Sequence, residues 1–353
     1  MKSLRKIIIA GIILTGISFN AAALNSAAYE GSAQTIEDDV YSLMNILTWN
    51  KLKFENFYGF TNINSVSSGN LAFAFRTKNK NMGGIAWQGN LWSESSDNSI
   101  SGFYGWNKYA IKITLNEQIS PAWYLDSNFC ENYKNLGGII DFGCNLNKTV
   151  SYTLSIGYSN ITGKINPSQI NYSTFLAGGS LFYTLKDEKS INSKLFVDYS
   201  GNFAFKSSKN GNKETKTTYN QNEMTLGTVF LYKPNTTLTY GLKAFIPVTI
   251  TAGDNIKLKT NIAFEVSNGL SFVLKPDTVL LNTGIHLSLP SFTIEEDEDT
   301  VTGNFYTTFY AGLSLIPGSN INIDICTDFN PTNGISPSDI WTQNFKISVA
   351  ARF

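Results

Sequence analysis

Apolar and polar residues alternate with period two along most of this chain. Val150, Tyr152, Leu154, Ile156 and Tyr158 are interleaved with Thr149, Ser151, Thr153, Ser155 and Gly157. Leu238, Tyr240, Leu242, Ala244, Ile246, Val248 and Ile250 oppose Thr237, Thr239, Gly241, Lys243 and Thr249, with Phe245 as an exception. The same rhythm returns where Ile256, Leu258, Ile262, Phe264 and Val266 face away from Lys257, Lys259, Asn261 and Glu265. It returns again where Phe305, Phe309, Ala311, Leu313 and Leu315 face away from Tyr306, Thr308, Tyr310, Gly312 and Ser314. Successive strand side chains point to opposite faces. Each segment therefore has one apolar face and one face of Thr, Ser, Gly, Asn and Lys.

Two all-β architectures accept that pattern. In a soluble sandwich the apolar face packs on a second sheet. In a membrane barrel it meets lipid, and the polar face lines an interior. The alternating runs are longer than the five or six residues of common soluble strands. Tyr104-Gly105-Trp106, Trp123-Tyr124 and Tyr306 put aromatics near segment ends, where interfacial girdles sit. The expected fold is an all-β, single transmembrane antiparallel barrel over 51–353, of about 14 strands within a range of 12 to 16. Sixteen candidate segments can be drawn between 52 and 353, some of them halves of one strand. Residues 206–219, 290–303 and 330–340 read as the longer, extracellular connections. Inward and outward parity does not carry through every segment, so at least one boundary is displaced.

Composition narrows the classes. Charged residues are 15% of the 353, against the roughly 25% usual in soluble domains. The 27 basic and 27 acidic side chains cancel, so no basic excess exists to bind nucleic acid. One His excludes a His-rich metal site, and no Cys/His spacing suggests a metal or cofactor. The expectation is a protein without cofactor and not an enzyme.

The N-terminus reads as an export signal over 1–23. Lys2, Arg5 and Lys6 precede an apolar run from Ile7 to Phe19 and then Ala21-Ala22-Ala23, with Ala28 as a second cleavage choice. The run is short of the ~20 residues that a spanning helix needs. Residues 24–50 form a separate segment. Thr35 to Asp38 resembles a capping box, and Ile36, Val40, Leu43, Met44 and Leu47 recur at helical spacing. A short amphipathic helix near 35–48 is expected, as a plug or a periplasmic cap.

The last segment, Trp341 to Phe353, carries Phe345, Ile347, Val349, Ala351 and the terminal Phe353 at two-residue spacing. It resembles the final strand of bacterial outer-membrane β-barrels, whose terminal aromatic residue is read by the assembly machinery. The resemblance implies residence in the outer membrane of a Gram-negative-type envelope after export through the inner membrane. It also implies outer-membrane lipids and the barrel-assembly machinery as partners, with Phe353 as the assembly signal. In plan, a barrel behind a short leading segment is also similar to FadL-type transporters, which implies a plug for 24–50 and a hydrophobic cargo.

Alternation assigns Lys243, Lys257, Lys259, Glu265, His286, Asp324, Lys346 and Arg352 to the inner, pore-lining face. That set is mildly basic and would favour anions, although Asp141 and Asp198 fall inward too. A mixed, solvated wall with little selectivity is the plainer reading. His286-Leu287-Ser288 is similar to the His-x-Ser spacing of outer-membrane lipid hydrolases, but here Leu287 takes the lipid side. Cys130 and Cys144 are open to a disulfide or to two free thiols. The acidic run Glu295 to Asp299 lacks the spacing of a calcium loop and reads as a solvated tip. A porin-like channel or transporter for small solutes is the leading expectation. A surface barrel for adhesion or antigenic display is the alternative.

Overall fold

The structure is a computed structural model. It describes residues 57–352 apart from 64–67, 78, 80, 91–95, 126–127, 211–212, 255, 276–278, 296–298, 303–304, 317–320 and 330–345. The expected signal at 1–23, the helix near 35–48, the segment 24–50 and Phe353 lie outside the described residues.

All regular elements described are strands, and all their pairings are antiparallel. The first half comprises β1 (Phe57–Ile63), β2 (Ser68–Arg76), β3 (Met82–Asn90), β4 (Ser96–Trp106), β5 (Tyr109–Leu125), β6 (Asn128–Asn145), β7 (Val150–Ile165), β8 (Ser168–Asp187) and β9 (Ile191–Asn210). The second comprises β10 (Lys213–Tyr232), β11 (Leu238–Gly253), β12 (Ile256–Ile262), β13 (Glu265–Lys275), β14 (Val279–Ser288), β15 (Ser291–Glu295), β16 (Asp299–Thr302), β17 (Tyr306–Leu315), β18 (Ile321–Phe329) and β19 (Lys346–Arg352).

Each strand from β1 to β11 pairs with the next in sequence. Beyond that, β12 and β13 lie end to end along β11. β15 and β14 lie against them in turn, followed by β16 and β17. β18 joins β17 to β19, and β19 pairs with β1, Arg352 opposite Tyr58. Partner by partner, the ladder leaves β1 through β2 and returns to it through β19.

The interruptions at 263–264 and 289–290 lie side by side in neighbouring strands. Pro290 has no N–H to give, which breaks the ladder there. The Leu289 N–H instead reaches the Phe264 carbonyl at 3.0 Å, and the Ala263 N–H reaches the Pro247 carbonyl at 3.1 Å. Between Ser288 and Ser291 the inward set switches from even to odd numbers. His286 shares a face with Ser267, whereas Thr293 shares it with Asn261. That slip is the parity conflict met in the sequence.

Two expected loops are corrected. Residues 206–219 continue β9 and β10 as a paired hairpin, Ser208 opposite Thr215, leaving only 211–212 as a connection. Within 290–303, β15 and β16 pair. At 206–219 alternation is built from Thr, Ser and Lys and lacks the apolar half that marks a strand, whereas at 290–303 the apolar set is short, Phe292 and Ile294 before the acidic run. The third loop, 330–340, lies outside the described residues.

The two faces differ sharply in chemistry. Leu154 (56% exposed), Ile156 (63%) and Leu115 (64%) point outward, as do Tyr158, Phe175, Leu181, Tyr183, Leu195, Phe203 and Phe205. On β8 this band runs from Phe175 to Leu185, roughly 25 Å of height at a 40° tilt. Rings mark its two margins. Trp106, Tyr109, Phe142 and Tyr152 follow one another at 6.0 to 6.3 Å between centroids along one margin. Tyr158, Phe175 and Phe205 do so at 5.0 and 6.2 Å along the other.

Beyond the second margin the outer face turns polar. The Asn160 amide donates to Asn171 Oδ1 at 2.6 Å and to Ser173 Oγ at 3.0 Å. Lys164 pairs with Glu131 at 3.7 Å, and Lys216 with Glu214 at 3.6 Å. Strands β6 to β10 thus run well past the apolar band, all on one side of it.

Candidate functional site

The inner face carries the charges. Cross-strand register places side chains directly opposite one another on the same face, where they interact. Lys112 on β5 stands opposite Asp141 on β6, which stands opposite Ser155 on β7. Lys112 Nζ lies 3.2 Å from Asp141 Oδ2, and the Ser155 hydroxyl donates to Asp141 Oδ1 at 2.7 Å.

A second cluster occupies the opposite half of the ladder. Ser267 on β13 has Lys243 of β11 on one side and His286 of β14 on the other. His286 Nδ1 and Ser267 Oγ share a hydrogen bond of 2.7 Å, and His286 Nε2 lies 3.5 Å from Glu265 Oε2. Thr308 of β17 is the next partner of His286.

Lys243 Nζ lies over the Phe196 ring at 5.0 Å and over the Phe245 ring at 4.5 Å. Phe196 in turn stacks on Phe182, with centroids 6.1 Å apart. An ammonium over two ring faces is held by their quadrupoles, each contact contributing about 0.5–2 kcal/mol. This is the reason for Phe245, the apolar exception on an otherwise polar face. Gly227 leaves room for both side chains, since a Cβ there would stand 2.5 Å from the Phe196 ring and 2.7 Å from the Phe245 Cβ.

The remaining sequence-read residues are distributed around the ladder. Lys259 stands opposite Thr251 and Glu295. Asp324 is buried, opposite Ser314, whose hydroxyl accepts from the Asn282 amide at 2.7 Å. Lys257 lies on β12; Lys346 is opposite Cys326, and Arg352 opposite Tyr58. The side chains of Lys257, Lys346 and Arg352 lie outside the described set. The acidic run lies largely there too.

Register adds inward charges that the sequence reading did not name: Arg76, Asp97, Lys112, Lys194, Lys206 and Glu223. Taken with Lys243, Lys259, Asp141, Asp198, Glu265 and Asp324, acidic and basic residues balance on the described inner face. The described inner face thus carries mixed charge, with Lys112 and Asp141 paired directly. Lys112 was legible between Ile111 and Ile113. Ser267 as the His286 partner was not, because cross-strand register leaves no local signal.

The hydrolase-like spacing takes a different form from that expected. The hydroxyl bonded to His286 is that of Ser267, and Ser267 is only 1% exposed. The cysteines are both free and cannot meet. Cys130 and Cys144 sit on one strand, β6, fourteen residues apart. Cys144 is packed on the outer face, opposite Tyr109 and Tyr152. Cys130 is packed on the inner face with Tyr133, Ile161, Ile165 and Ile170.

No family model and no curated protein matches the chain in sequence. Among solved structures it is similar to a Pseudomonas aeruginosa FadL homologue, at 9% identity over 95% of this chain and 100% of that one, TM-score 0.49. It is similar also to the CymD monoaromatic hydrocarbon channel, at 9% identity over 95% and 99%, TM-score 0.46. A third likeness is to BamA from Haemophilus ducreyi lacking POTRA domains 1-3, at 12% identity over 85% and 71%, TM-score 0.43. These neighbours are outer-membrane β-barrel proteins.

Proposed function

We propose that the chain is an outer-membrane β-barrel forming a porin-like channel for small solutes, and that it is not an enzyme. One observation carries this reading. A ladder that leaves β1 and returns to it has an apolar outer face bounded by two rows of rings and an inner face of paired charges. In lipid every backbone polar group needs an internal partner, and a closed antiparallel ladder supplies one.

With the end-to-end segments merged, the described strands form sixteen staves, which supports a count at the top of the expected range of 12 to 16. Sixteen staves tilted by ~40° give a backbone diameter of about 32 Å. Side chains on both walls leave roughly 20 Å before anything enters the lumen. An even count puts both ends of the ladder on one side, the periplasmic one. The tips near 166–167 and 211–212 then face outward from the cell. In this reading residues 1–23 direct export, 24–50 plug or cap the barrel, and Phe353 is read by the assembly machinery.

The Ser267–His286–Glu265 chain is read as part of the wall. A hydroxyl withdrawn to 1% exposure does not reach an ester carbonyl. The test is planar-bilayer conductance of the refolded protein. Steady steps are the expected result. A folded, heat-modifiable protein that passes no current would overturn the channel reading and favour surface display, which the tall wall of β6 to β10 supports as the second reading.

A further inference from the structure

We propose that His286 is a specificity-determining residue of the lumen and makes its charge preference depend on pH, an inference that rests on the channel reading above. His286 is the single histidine of the chain. Its side chain is 17% exposed and that of Glu265 is 25% exposed, so both reach luminal water while staying fixed in the wall.

The charged neighbours are few. Glu265 comes from β13 and lies against Nε2. Lys243 comes from β11, across Ser267; beyond it on β9 come Lys194, in the same cross-strand row through Val229, and Asp198, whose charge acts on Lys243. Thr308 is the β17 neighbour of His286, and Tyr306 of β17 stands opposite Ser288. Phenols titrate near 10 and carboxylates near 4, so neither changes charge between pH 7.5 and 5 in ordinary surroundings. Imidazole, with an ordinary value near 6.5, does.

With His286 neutral, Asp198 and Glu265 are balanced by Lys243 and Lys194. Protonation gives the cluster one net positive charge. Low-dielectric walls around a pore focus the field of fixed charges, so a unit change on the wall alters which small ions enter. The lumen therefore shifts its preference toward anions as pH falls through the imidazole range.

The experiment measures reversal potential of the refolded full chain in a KCl gradient at pH 7.5 and pH 5. The K+/Cl− permeability ratio of the unmodified protein is expected to fall about twofold or more between the two. His286→Gln is expected to hold one ratio at both pH values. Glu265→Gln is expected to start lower at pH 7.5 and keep the step. Heat-modifiable migration checks folding of each variant, and His286→Asn substitutes if the Gln variant does not insert. A His286→Gln channel with the same pH step as the parent overturns the assignment. A conducting parent with a pH-independent ratio overturns it too and leaves the channel reading intact. A folded but silent parent overturns both.

Discussion

Gly227 is a residue whose identity follows from its neighbours. The ring of Phe196 and the Cβ of Phe245 occupy the space a Cβ would need. Gly227→Ala is expected to destabilise the folded state by roughly 1–3 kcal/mol, read as a shift in the urea midpoint of unfolding. Asp254, in the turn after β11, makes a different prediction. Its carboxylate accepts the Thr218 N–H at 2.7 Å and the Thr218 hydroxyl at 2.9 Å. Those donors, the backbone N–H first, hold its pKa below the usual value. A group depressed in the folded state contributes stability above its unfolded pKa, near 3.9, and loses it as pH falls through the folded value. Asp254→Asn should therefore flatten the decline of unfolding midpoint below about pH 4, a loss that acid titration of the two proteins would measure. Neither residue was legible in the sequence, because both depend on which strand lies alongside.

At the scale of elements, the sequence was most readable where lipid-facing residues are large. β7, β11 and β17 follow the alternation read from Val150, Leu238 and Phe305. β4 escaped the candidate segments because its sequence, SDNSISGFYGW, opens on Ser, Asp and Asn and offers only Ile100 on its outward face before Tyr104. The polar ends of β8, β9 and β10 escaped for a related reason, since past the apolar band both faces of a strand meet water. The extra residue at Leu289 and Pro290 hid the register beyond it. The two-faced reading also has a direct test. Ile156, 63% exposed, should cost about 2–4 kcal/mol when changed to Lys, because an ammonium there meets the apolar band. Ser155→Lys on the opposite face of the same strand should cost much less. Reversible unfolding from lipid vesicles would compare the two, and equal costs would remove the assignment of faces.

For the whole molecule, the long antiparallel β-region was legible from periodicity and composition. The expected leader and short segment lie outside the described residues. The number of staves was hard to read because split segments look like separate strands and polar ones are missed. The polar hairpin at the β9–β10 tip should be dispensable for assembly. Replacing 208–215 with a two-residue turn removes paired strand beyond the apolar band, Ser208 opposite Thr215. The shortened protein should keep its heat-modifiable migration and its conductance, and failure to assemble would show that this hairpin belongs to the folding core. Strands of 20 residues stand on one side of the molecule and strands of 7 to 9 on the other. Among the described residues the paired wall is therefore tallest at β8 to β10. In the barrel proposed above, a phage tail or antibody descending on the cell would meet that crest first.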